Sequence, residues 1–250
     1  MVYIEVECPH CKSTDVSKFG TMPSGKQRYA CNNPLCHHKT FILKYSYRAC
    51  DPGIREQIFF QTVNGSGIRA ISRSLKISQN TVISALRSLE SDLWYVNKSY
   101  IERCQSYEGI AVDIVTVNEA EMDEMWSYVH DKSQQYWLWW AIDHDTGEPL
   151  AFCFGTREHL NLKELLALLK PFNIKTVYTD GNPAYDTHIL ESWLITGKEN
   201  TQKIERKHLS LRTWCSRLVR KGIRFSKLHD MHRIVISLII NFWFFGNVVW

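Results

Sequence analysis

Beyond residue 110 the apolar residues fall in an order that few folds can accommodate. Ile110 to Val129 carries two apolar patches and Tyr136 to Ile142 a third. Asp143-His-Asp-Thr-Gly-Glu148 has the composition of a turn, and Pro149 to Gly155 follows as the return strand of a hairpin. Leu160 to Leu169 sets its leucines at helical spacing, and Ile174 to Thr179 is a short apolar run of the kind buried in a sheet. Pro183 to Leu194 reads as a helix with proline at its start, residues 200–221 as one long basic helix, and 229–245 as a final apolar one. A hairpin first and a helical crossover later predict an α/β domain, a mixed sheet covered by helices, over residues 110–250.

The first 109 residues follow other rules. Cys8-Pro-His-Cys11 and Cys31-Asn-Asn-Pro-Leu-Cys36 are two short-spaced thiol pairs, a pattern that closes a tetrahedral Zn²⁺ site. Such a site supplies folding energy that a small module over 1–50 lacks. His10, His37 and His38 lie near enough to replace one cysteine. Three helical segments, Ile54–Val63, Gly67–Leu75 and Ser78–Leu89, with Ser78 as N-cap of the third, suggest a helix-turn-helix over 51–92. Its last helix would turn Gln79, Asn80, Ser84 and Arg87 outward to double-stranded DNA, where Gln and Asn suit adenine edges. The polar stretch 93–109 reads as a linker with some helix.

Charge is divided along the chain. Residues 1–107 hold 14 Lys/Arg against 8 Asp/Glu, residues 108–198 hold 6 against 15, and residues 199–250 hold 10 against 3. An acidic centre between basic arms suits a metal site flanked by surfaces for phosphate backbones. Nine Trp and 44% hydrophobic residues exclude a disordered chain. Met1 to Glu7 has two acids and no apolar core, so no signal peptide is visible, and the cysteine usage fits a reducing, cytoplasmic setting. The apolar tail Ile234–Trp250 contains Ser237, Asn241, Gly246 and Asn247, and reads as a packed helix rather than a membrane span.

Glu205 is the only acid between Asn200 and Lys227, set among Lys203, Arg206, Lys207 and Arg212. Alone it would be a surface ion-pair partner. Asp180, ending the apolar run before Gly181, and Asp123, in Ala120-Glu-Met-Asp-Glu-Met-Trp126, give it company. Two strand aspartates and a helix glutamate are what Mg²⁺- or Mn²⁺-dependent phosphoryl transfer on nucleic acid requires. Asp113, Glu121 and Glu124 compete with Asp123 for the first position. On a strand Glu121 shares its face while Glu124 points away.

The segments Glu121–Val129, Thr179-Asp-Gly181, Thr201–Arg206 with Leu209-Ser-Leu-Arg212, and Phe225-Ser-Lys227 resemble the transposases of the insertion-sequence-one family. The likeness covers nearly the whole chain, because that family also carries an N-terminal zinc finger and helix-turn-helix. It implies a ribonuclease-H-like catalytic domain with an Asp-Asp-Glu site at Asp123, Asp180 and Glu205, separated in its second half by 24 residues. It also implies a DNA-contacting Arg212, with Lys203, Arg206 and Lys207 along the backbone, and a homodimer or higher assembly on DNA. A DNA-binding regulator with an inactive second half, and a nuclease on the same fold, are the competing functional classes.

Overall fold

The computed structural model describes residues 5–45, 47–108, 115–219 and 221–250, so Asp113 and the start of the apolar stretch at Ile110 lie outside the described residues. Three short strands come first, β1 (Val16–Thr21), β2 (Gln27–Cys31) and β3 (Thr40–Ile42), paired antiparallel in that order. Cys8, Cys31, Cys36 and Phe41 form their buried cluster, too little apolar surface to hold such a module by itself. Helices α1 (Ile54–Val63), α2 (Ile68–Leu75) and α3 (Gln79–Ser88) come next. Lys76 takes a left-handed conformation (φ 55°) between α2 and α3, and Ser78 Oγ accepts the Thr81 N–H (3.0 Å) as the N-cap of α3. Ile71, Leu75, Val82 and Leu86 are buried, as the helix-turn-helix pattern requires. Helix α4 (Lys98–Glu108) is tied to the hairpin around residues 143–149 at its N-terminal end: Asn97 Nδ2 donates to Pro149 O (2.8 Å) and Tyr100 Oη to Asp143 Oδ2 (2.5 Å).

The central sheet contains β4 (Glu119–Tyr128), β5 (Gln135–Asp143), β6 (Pro149–Gly155), β7 (Thr176–Thr179) and β8 (Leu194–Thr196), in the order β6-β5-β4-β7-β8. The first three form an antiparallel meander; β7 lies parallel to β4, and β8 parallel to β7. Helix α5 (His159–Leu168) crosses from β6 to β7 and α6 (Pro183–His188) from β7 to β8. This is the ribonuclease-H-like arrangement, completed by α7 (Gln202–Trp214) and α8 (His229–Ile240).

Each face of the sheet has its own core. Met122, Trp139, Ala141, Leu150 and Cys153 pack against Leu162 and Leu165 of α5 and Tyr185 of α6. Met125, Leu138, Trp140, Ile142 and Phe152 share a cluster with Ile204 and Leu211 of α7, the Ile234–Ile240 stretch of α8, and Ile58, Phe59 and Leu86 of the helix-turn-helix. Helix α8 is apolar nearly all round because it is covered on several sides. Among the described residues no helix is long and apolar enough to cross a membrane.

Two elements depart from the periodicity. The helix expected to run to Leu194 stops at His188, because Ile189 turns extended (φ −110°, ψ 137°) and Val177 N–H bonds to Trp193 O (2.7 Å). Pairing with the edge of β7 thus satisfies a backbone that would otherwise remain helical, and β8 results. The long basic helix expected to reach residue 221 ends at Trp214, where Cys215 leaves helical geometry and Arg217 turns inward. Arg217 Nη1 donates to Ser226 Oγ (3.1 Å) and Met231 O (2.8 Å).

That guanidinium ends a directional chain of buried polar groups. Ser127 Oγ donates to Tyr136 O (2.5 Å), so it accepts from His232 Nε2 (2.9 Å). His232 Nδ1 carries no proton and accepts from Ser226 Oγ (2.8 Å). Burial, with Arg217 and His229 adding to it, pushes the His232 pKa down to about 3. An unfolded histidine titrates near 6.5, so between pH 6.5 and about 3 only the unfolded chain takes up this proton. The stability present above pH 6.5 is therefore lost as pH falls, by up to about 1.4 kcal/mol per pH unit from this residue. Urea unfolding from pH 7 to 4.5 should show a shallower decline in His232→Asn than in the parent chain, and equal slopes would refute this role.

Candidate active site and metal centres

Glu121 and Asp123 of β4 lie on the sheet face that meets α7. Glu121, wholly buried, accepts the Ile204 N–H with Oε2 (2.9 Å), and its Oε1 lies 2.8 Å from His144 Nδ1. Thr201, at the N-cap of α7, makes no side-chain cap, so this carboxylate from the sheet satisfies an orphan amide where the helix dipole also favours a negative charge. The same turn is tied to the β5–β6 hairpin by Lys203 Nζ, which donates to His144 O and Asp145 O. So held, α7 turns Ile204, His208 and Leu211 into the core and leaves Glu205 exposed on its first turn.

Asp123 lies two residues beyond Glu121 on the same face. Its Oδ1 accepts the Glu124 N–H (2.7 Å), and its Oδ2 lies 3.5 Å from His208 Nδ1. The parallel register, with Glu121 opposite Tyr178, brings Asp180 level with Asp123 as the chain leaves β7. Gly181 (φ 93°) allows the turn after it. Carboxylate oxygens of Asp123, Glu124 and Asp180 lie within 4.8 Å of one another. Glu124 belongs to this group and is already matched: it accepts from Asn182 Nδ2 (2.6 Å) and Tyr185 Oη (3.1 Å), and pairs with Arg157 (3.1 Å). Glu205 stands outside this tight group, close enough for its charge to act on Asp123. Burial first, then the charge of Asp180, with Glu124 and Glu205 adding, pushes the Asp123 pKa up to about 7. Crowded oxygen donors whose charges repel one another suit a hard divalent cation.

Arg212 lies two turns beyond Glu205 and is half-buried. Of the basic residues expected along DNA, Arg206 is exposed, whereas Lys203 is taken up by the hairpin and Lys207 sits over the Phe244 ring (5.3 Å). Gln79, Asn80, Ser84 and Arg87 are all exposed on α3. Asn80 and Ser84 line a groove shared with Arg55 of α1, and Arg87 pairs with Asp230 of α8 (2.6 Å).

Cys8, Cys11, Cys31 and Cys36 bring their sulfurs within 4.8 Å of one another, and the group contains none of His10, His37 or His38. Cys8 and Cys36 are 3.9 Å apart, Cys11 and Cys31 3.6 Å. A tetrahedral ion with Zn–S bonds of about 2.3 Å separates its sulfurs by about 3.8 Å, so the four thiols fit one.

Three residues central to this geometry have roles that the sequence does not mark: Glu121 as the α7 cap, Trp140, and His208, which stands near the acids in sequence but is given no function by it. Trp140 is the cross-strand partner of Asp123 and its Nε1–H donates to His208 Nε2 (2.7 Å). His208, three residues after Glu205, falls on the buried stripe of α7, so helical periodicity alone marks it as core.

Comparison with known proteins places these features together. The profile of the IS1 transposase family matches residues 115–246, that of the InsA C-terminal domain residues 45–90, and that of the InsA N-terminal domain residues 1–37. The insertion element iso-IS1n protein InsB of Shigella dysenteriae is 45% identical over 120 residues, covering 48% of this chain and 92% of the relative. The insertion element IS1 protein InsB of Shigella sonnei is 41% identical over 122 residues, covering 49% and 93%. Among solved structures, the catalytic core domain of BIV integrase aligns over 50% of this chain and 82% of its own, at 14% identity and a TM-score of 0.33.

The electrostatics predict opposite effects for two neighbouring residues. Without added divalent cation, Asp123→Asn should stabilise the fold by about 1–2 kcal/mol, because it removes one of the crowded charges. Glu121→Ala should cost about 3 kcal/mol, since it leaves a buried amide and His144 without their acceptor. Urea unfolding measures both, and a destabilised Asp123→Asn would contradict the first.

Proposed function

The chain belongs to the IS1 transposase family, and we propose that it binds the ends of its insertion element and carries out metal-dependent DNA strand cleavage and strand transfer. The observation that carries this reading is the parallel register of β4 and β7, which sets Asp123 beside Asp180, with Glu205 on the first turn of the capped helix α7. Asp123 and Asp180 hold the divalent cations, Mg²⁺ or Mn²⁺, and Glu205 completes the set. When bound, these cations supply activation of the attacking oxygen and neutralisation of the charge on the leaving one.

The protein's own contribution is placement. In the first step a water oxygen attacks an end phosphodiester, the P–O3′ bond breaks, and a free 3′-hydroxyl remains on the element. In the second that hydroxyl attacks a target phosphodiester, so one P–O bond forms as another breaks and no external energy source is needed. Both steps depend on alignment and charge neutralisation more than on covalent participation by side chains. Arg206, exposed on α7, and Arg212 are assigned to the DNA backbone. Gln79, Asn80 and Ser84 on α3 are assigned to base edges, and Arg87 joins them only if it leaves Asp230. The four cysteines hold structural Zn²⁺ and stabilise the N-terminal module. Two ends must be joined at once, so a dimer or higher assembly on DNA belongs to the proposal.

A supercoiled plasmid carrying candidate end sequences, incubated with the full chain and Mg²⁺ or Mn²⁺, tests the reading. End-specific nicking and joined products are expected, falling by at least about a hundredfold in Glu205→Gln. Binding without cleavage would leave a DNA-binding regulator, and cleavage indifferent to the ends would leave a nuclease.

A further inference from the structure

Among the described residues, one buried titratable side chain beside the carboxylates has no part in the two transfer steps. His208 is only 7% exposed at its side chain, and Asp123 13%. Its environment determines which ring nitrogen bears the proton. The indole Nε1–H of Trp140 can only donate, and it meets His208 Nε2 at 2.7 Å, so Nε2 is the unprotonated nitrogen. A neutral imidazole then carries its hydrogen on Nδ1, which faces Asp123 Oδ2 at 3.5 Å. The indole and imidazole are nearly parallel (9°), with ring centroids 5.5 Å apart.

Chain topology makes the contact a consequence of the site itself. Asp123 and Trp140 are direct partners across β4 and β5, so the carboxylate and the indole emerge side by side on one face. The Glu121 cap sets the first turn of α7, and His208 comes down one turn later over both. The Asp123 carboxylate is thus addressed from two directions, by the Glu124 amide at Oδ1 and by the imidazole at Oδ2.

We propose that His208 is a positioning residue for the first metal ligand: the Trp140-fixed tautomer presents Nδ1–H to Asp123 Oδ2 and aims the remaining lone pairs of that carboxylate toward Asp180. A histidine serving only as core filling would require neither the indole donor nor a particular nitrogen facing the acid. Partners that orient a ligating group in this way change metal affinity about ten- to a hundredfold when removed.

The inference rests on reading Asp123 as a metal ligand, so Asp123→Asn is the reference variant. Mn²⁺ binding to the full chain, with its zinc retained, is measured by calorimetric titration, and circular dichroism checks folding. Asp123→Asn should abolish the binding. His208→Ala should weaken it about ten- to a hundredfold. His208→Asn, whose side-chain N–H can occupy the place of Nδ1–H, should recover most of the loss. His208→Gln, whose amide instead reaches the Nε2 position, should not. Trp140→Phe should weaken binding as well, because the donor that selects the tautomer is gone. Wild-type affinity in His208→Ala, or a His208→Asn variant no better than His208→Gln, would overturn the proposal while leaving the metal site intact. Wild-type affinity in Asp123→Asn would overturn the metal site and this proposal with it. If His208→Ala fails to fold, the Asn and Gln variants decide the matter.

Discussion

A buried carboxylate holds this site together. Glu121 lies under the first turn of α7 and accepts the Ile204 amide, with His144 on its other oxygen. Taking such a charge out of water costs several kcal/mol, which only good hydrogen bonds and a favourable dipole offset. An apolar residue at 121 would save that cost and leave the helix end unsatisfied inside the core. The orientation of α7 follows from this bond, and with it the positions of Glu205 and His208 relative to Asp123.

Around that anchor the carboxylates divide into matched and crowded groups. Glu124 is met by Arg157, Asn182 and Tyr185, and because Asn182 belongs to the turn after Asp180, these bonds fasten the second aspartate to β4. Asp123 is treated differently: burial and the neighbouring acids raise its pKa to about 7. A cluster kept electrostatically poor at the cost of stability is what a cation-binding site requires, and it marks where fold stability and function oppose each other.

Much of this was legible in the sequence because it depends on local spacing. The hairpin at Asp143–Glu148, the Ser78 cap and the paired cysteines each use residues a few positions apart, and the alternation of β4 put Glu121 and Asp123 on one face, whereas Glu124, expected to point away, brings its carboxylate within 4.8 Å of those of Asp123 and Asp180. Proposing Asp123 as the first ligand rests on the family motif. What remained hidden depends on partners far along the chain. The strand β8 exists because β7 offers it an edge, α7 ends where Arg217 reaches Ser226 and Met231, and His208 takes its meaning from Trp140. Lys203 and Lys207 read as part of a DNA grip because charge is visible in a sequence, whereas the hairpin carbonyls and the Phe244 ring that occupy them are not.

The helix-turn-helix is not an appendage in this structure. Helices α1 and α3 share a core with α8, Arg87 reaches Asp230, and Arg233 of α8 bonds to Tyr95 Oη (2.8 Å) and to Glu90. The surface assigned to DNA reading and the sheet assigned to chemistry are therefore packed through α8, and the proposed chemistry requires the acids to form one metal site. A crystal structure of the full chain grown with Mn²⁺ tests this most directly through anomalous scattering. Manganese is expected between Asp123 and Asp180, with Glu205 turned in to complete its ligands. Manganese bound without Asp123, or absent from the three carboxylates altogether, would contradict it.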